Sequence, residues 1–178
     1  GIDVFEGEAE RAPMGISMYK RAKDGAVFAI VGRKSGPLDG YLWQYLLQDD
    51  GKGGVKGTKA RAFGLYSGKK EIESIAVDDK LGYVYYSDEQ NSIRKYFADP
   101  DMAGAGKQLG TLSTAGYLED SEGISIYEVS DGTGYILVSD QSANKFHIYK
   151  REGEPGNPHE HKKVMVVDVS TTNSDGSD

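Results

Sequence analysis

Apolar and polar residues alternate with a period of two in short runs along most of the chain, and turns rich in glycine and aspartate separate the runs. Such alternation places successive side chains on opposite faces of an extended strand. Three stretches begin alike, at Met14-Gly15-Ile16-Ser17, Glu73-Ser74-Ile75-Ala76 and Glu122-Gly123-Ile124-Ser125, and each predicts a strand over 16–19, 75–77 and 124–127. A turn follows at Asp24-Gly25, at Asp79-Lys80-Leu81-Gly82 and at Asp131-Gly132, where glycine supplies the positive φ of a tight hairpin. A more continuously apolar strand comes next at 27–31, 83–86 and 135–138, reading as buried on both faces. An aromatic strand follows at 41–45, 93–96 and 145–149. Outer strands are expected at 56–63 and 163–169, with a weaker one near 108–112. Residues 71–80 tolerate a helix, but the repeat assigns part of them to a strand.

The isoleucines Ile16, Ile75 and Ile124 are 59 and 49 residues apart. A four-stranded propeller blade of about 40–50 residues, with loop insertions, fits these periods. The fold class expected is therefore all-β, with four-stranded antiparallel propeller blades and about three blades in one domain over 1–178. A β-sandwich with similar strands is the alternative. Three blades do not close a ring, and they leave sheet faces and edges that native proteins cover. Further blades or another chain are expected to complete it.

Composition narrows the chemistry. With 21 Lys plus Arg against 28 Asp plus Glu, the net charge is −7, which argues against a nucleic-acid partner, since phosphate binding needs basic surface. The absence of cysteine removes disulfides, thiolate metal sites and thiol nucleophiles. No run reaches the ~18 apolar residues of a membrane helix, and residues 1–10 do not read as a signal peptide.

The repeats differ where a propeller carries function, at the loops of one rim. Before the first strand stand Met14, Glu73 and Glu122, with Asp120 beside the last. After the second strand stand Arg33-Lys34, Asp88-Glu89 and Asp140-Gln141. Carboxylates and an amide suit a hard cation, calcium above all, which takes 6–8 oxygen ligands. Arg33 and Lys34 suit an anion. Cation-mediated phosphate recognition reconciles an acidic chain with an anionic ligand, while solvated loop-end charges are the plainer alternative. His159-Glu160-His161 follows Gly156-Asn157-Pro158 and reads as a surface loop, and His147 reads as packed in an aromatic strand. Neither Gly-x-Ser-x-Gly nor a P-loop occurs. The tail from Asn173 to Asp178 has the composition of a calcium loop or of a frayed terminus.

These segments resemble the β-propeller phytases, calcium-dependent phosphohydrolases of inositol hexakisphosphate with a six-bladed propeller. The resemblance rests on Gly32-Arg33-Lys34 followed by Tyr41-Leu42-Trp43-Gln44-Tyr45, on Val77-Asp78-Asp79 with Leu81-Gly82-Tyr83-Val84-Tyr85, on Asp120-Ser121-Glu122-Gly123-Ile124, and on Asp131-Gly132-Thr133-Gly134-Tyr135. It covers nearly all of this chain and about half of a family propeller. It implies that Glu73, Glu89, Asp120, Glu122, Gln141 and Asp175 are calcium ligands, with Glu73, Asp120 and Glu122 closest to the reaction. It implies that Arg33 or Lys34 binds substrate phosphate, such as that of phytate, and that the protein is secreted or periplasmic. Met14 stands where the family has a tyrosine near the substrate. That departure keeps open a non-catalytic propeller that binds a ligand or partner through the same rim, or a calcium-dependent hydrolase of another ester.

Overall fold

A computed structural model of the chain describes residues 1–118, 120–170, 172–174 and 176. Among these residues, twelve strands form three four-stranded antiparallel sheets, each in sequential order. The first blade holds β1 (Pro13–Lys20), β2 (Val27–Arg33), β3 (Asp39–Asp49) and β4 (Val55–Leu65). The second holds β5 (Ile75–Asp78), β6 (Tyr83–Asp88), β7 (Ser92–Phe97) and β8 (Gly110–Ser113). The third holds β9 (Ile124–Ser130), β10 (Thr133–Asp140), β11 (Lys145–Lys150) and β12 (Lys163–Asp168). A single 3₁₀ turn, Gln141–Ala143, is the helical content of the described residues. The blades expected from the sequence are thus present, including the weakly signalled outer strand β8.

Strand periodicity sorts the side chains into layers between blades. Phe28, Ile30 and Leu42 of the first blade pack with Ile75, Val84, Tyr86 and Tyr96 of the second. The opposite face of the second blade presents Tyr85 and Ile93 to Ile136, Val138 and Tyr149 of the third. Because both faces of β6 are covered, its residues are almost all buried, which explains its continuous apolar run. The outward face of the first blade, with Ala29, Val31, Trp43 and Tyr45, is covered by Val4 and Phe5 of the N-terminal segment. The face of the third blade turned away from the second is open, and Tyr127, Val129 and Met165 are more than half exposed there.

Polar ties cross the same boundaries. Arg61 on β4 donates to the carbonyls of Phe97 and Ala105, both at 2.6 Å. The Tyr86 hydroxyl donates to the Leu65 carbonyl at 2.7 Å. Between blades two and three, the loop that joins β11 to β12 folds onto β7. His161 in that loop is only 6% exposed, so the surface-loop expectation does not hold for it. Its Nδ1 lies 2.7 Å from the Lys150 carbonyl and its Nε2 lies 3.0 Å from the Lys95 ammonium nitrogen. A carbonyl only accepts, so Nδ1 carries the proton and Nε2 accepts from Lys95. His147 is packed, as expected, stacked on Tyr117 and bonded to Asp140.

Candidate metal centre at the blade rim

Strand register fixes where the rim residues stand. Ile16 pairs with Val31, Ile75 with Tyr86, and Ile124 with Val138. These three pairs are equivalent, so positions counted from them are equivalent too. Four residues before each isoleucine lie Ala12, Glu71 and Asp120, whose carbonyls accept from the amides of Lys34, Glu89 and Gln141 respectively. Two residues before it lie Met14, Glu73 and Glu122. Each blade therefore lifts three side chains to the rim from the ends of its two inner strands.

These positions bring the expected carboxylates together. Glu73, Glu89 and Glu122 each offer an oxygen within 4.8 Å of the others. Glu89 is 1% exposed and Asp120 is 7% exposed. Among the described residues, Glu89 Oε1 and Asp120 Oδ1 have no hydrogen-bond partner, an arrangement that normally carries a desolvation cost. The remaining oxygen of each faces the Lys70 ammonium, which is 3.4 Å from Glu89 and in close contact with Asp120. Glu73 hydrogen-bonds Glu122, and this contact, with burial and nearby Glu71, pushes its carboxyl up to about 7. Burial pushes Glu89 up to about 7 as well, and raises Glu122. Carboxylates held this close, with too little positive charge among them, retain a proton unless a cation replaces it. An all-oxygen donor set with two unpartnered buried oxygens fits a hard divalent ion such as calcium.

Gln141 begins the 3₁₀ turn at the position matching Glu89. Asp175 lies outside the described residues. The two basic residues part company. Lys34 is 62% exposed at the rim, with its ammonium 3.5 Å from Glu71. Arg33 is turned into the protein and 1% exposed. Its guanidinium donates to Glu8 at 3.0 Å and lies over the Phe5 ring, so the open anion fork expected there is already engaged. Arg33 corresponds in register to Asp88 and Asp140, which accept from the backbone amides of Ser67 and Leu118. All three thus fasten the segment leading into their blade's inner strand.

Lys70 and Glu71 are members of this rim that the motif reading missed. Glu71 was recoverable, because it holds the repeat position of Asp120. Lys70 belongs to an irregular connector with no repeat signal in the described residues.

The three blades thus share one oxygen-rich rim cluster, with the exposed Lys34 beside Glu71 at its edge. The sequence model of the Phytase family matches residues 9–178, and this chain belongs to that family. It is also 34% identical over 140 residues to a 3-phytase of Bacillus subtilis (strain 168), an alignment covering 79% of this chain and 35% of that protein. The aligned part of the chain thus spans little more than a third of that relative's length. Among the described residues, no helix is long and apolar enough to cross a membrane.

Proposed function

We propose that this chain carries the central rim of a calcium-dependent phosphohydrolase acting on phosphomonoesters of a polyanionic substrate such as inositol hexakisphosphate. The observation that carries the reading is the Glu73–Glu89–Glu122 cluster, with its buried unpartnered oxygens on Glu89 and Asp120. Glu73, Glu89, Asp120 and Glu122 would hold the calcium, with Gln141 and Asp175 as further ligands. Bound there, calcium supplies Lewis acidity and lowers the pKa of a coordinated water. Glu73 and Glu122, which share a hydrogen bond, would provide acceptors for the proton of an attacking water. Lys34 places a positive charge at the rim for a substrate phosphate, and Arg33 holds the connector beneath it. In this reading the protein works outside the cytoplasm, secreted or periplasmic, by family resemblance alone.

The open face of the third blade belongs to the same reading. Tyr127, Val129, Tyr135, Leu137, Val164 and Met165 line a groove of about 550 Å³, an apolar area that a further blade, in this or another chain, would bury. Met14 favours a second reading, a non-catalytic propeller that binds an anion through a metal. It puts a thioether where Glu73 and Glu122 stand in the other blades, and it offers a phosphate no hydrogen.

Phosphate release from inositol hexakisphosphate, with calcium and with a chelator, separates the two. Release that needs calcium and is abolished by Glu122→Ala supports the enzyme. Calcium binding without release supports the binding propeller, and release that ignores both calcium and Glu122 overturns the site.

A further inference from the structure

The connector before β5 is fastened on both sides of Lys70. Ser67 donates from its amide and hydroxyl to Asp88, the Tyr66 hydroxyl donates to the Lys70 carbonyl, and the Glu89 amide donates to the Glu71 carbonyl. The Lys70 backbone is thereby fixed beside the carboxylates, and its ammonium reaches them on a flexible four-carbon stem. That side chain crosses the blade boundary, reaching Glu89 of its own blade and Asp120 of the next. Among the described residues it is the one cation ion-paired to Glu73, Glu89, Asp120 or Glu122, and at 38% exposure it has an open route to solvent. Its two partners are the carboxylates whose other oxygens are buried and unpartnered.

We infer that Lys70 is a tethered counter-cation of the rim site, which occupies part of the place of a divalent ion and must withdraw when that ion binds. This rests on the metal-site reading above. An ammonium on a fixed backbone acts at a high effective concentration, yet it brings one charge and three donors, against two charges and six or more coordination positions for calcium. Lys70 therefore keeps the carboxylates from repelling one another in the metal-free protein, and it raises the calcium concentration at which the site fills. Its withdrawal also frees a positive charge at the rim at the moment the cation binds.

Calorimetric titration of calcium into the parent chain, Lys70→Met, Lys70→Arg and Glu122→Gln tests this, alongside thermal unfolding in chelator. Lys70→Met should bind calcium about tenfold more tightly and unfold at a lower temperature without metal, and Lys70→Arg should restore the weaker affinity. Unchanged or weaker binding by Lys70→Met, with the parent binding calcium and Glu122→Gln failing to, overturns the role of Lys70 and leaves the site standing. Tighter binding by Lys70→Met that Glu122→Gln does not diminish overturns it too, because the ion then lies elsewhere. Absence of calcium binding in both the parent and Lys70→Met overturns the site and the inference together.

Discussion

Arg151 of the third blade grips Asp78 of the second through two parallel hydrogen bonds of 2.6 and 2.7 Å, with both side chains 2% exposed. The planar fork matches the carboxylate, and Glu128 adds a third contact at 2.9 Å. Removing one partner leaves the other charged and buried. Arg151→Met should therefore cost about 3–5 kcal/mol, read from urea unfolding. The double variant with Asp78→Asn should lose less than the sum of the two singles.

The acidic rim predicts an unusual pH response of the metal-free protein. The folded-state values of Glu73 and Glu89 are raised to about 7, above the ordinary glutamate value. Their stabilising contribution is fully present below about 4.5 and is lost as the pH rises through 7. In chelator, the melting temperature contributed by this cluster should fall between pH 4.5 and 7, and Glu73→Gln should flatten that limb. Calcium at about 100 times its dissociation constant should add about 2.7 kcal/mol at neutral pH. A thermal scan across pH with and without calcium measures both effects.

His161 acts in an overlapping window with the opposite sign. Burial first, and then the Lys95 charge, hold its imidazole down at about 4, below its ordinary 6.5. The unfolded chain takes up that proton first, so stability should fall as the pH drops from about 6.5 to 4. A protonated Nε2 would also face Lys95 donor to donor. In the calcium-loaded protein, where the carboxylate limb is suppressed, urea midpoints should drop between pH 7 and pH 5. His161→Gln should remove most of that drop.

Gly15 links the first blade to the candidate metal centre. A Cβ at this position would stand 2.0 Å from the Glu73 carbonyl oxygen, and neither backbone can yield without displacing Glu73. Gly15→Ala should cost about 1–3 kcal/mol and weaken calcium binding, although Gly15 offers no ligand. Calorimetry and thermal unfolding on the one variant check both.

The blades were legible from the sequence because each repeats the same order of alternating strand, glycine turn, apolar strand and aromatic strand. Glu73, Glu89 and Glu122 were legible for a related reason, since register fixes the ends of inner strands. The disposition of Arg33 was not, because it depends on Glu8 and Phe5, which come from a segment outside the repeat. His161 read as surface for want of any sign that its loop would fold onto Lys95 of another blade. Lys70 escaped notice because its place is set by tertiary ties to Tyr66 and Asp88 rather than by strand spacing.

The shared addresses at the rim carry a further consequence. Taken blade by blade, they hold Ala12, Met14 and Lys34, then Glu71, Glu73 and Glu89, then Asp120, Glu122 and Gln141. Formal charge along the arc is thus one positive, then three negative, then two negative. The sheets are interchangeable as scaffolding but not as electrodes, and the rim has a direction, with a cationic pole on the first blade. A ligand bearing several like charges would meet that gradient before any single contact forms. Its heading on arrival is written into the order of the blades.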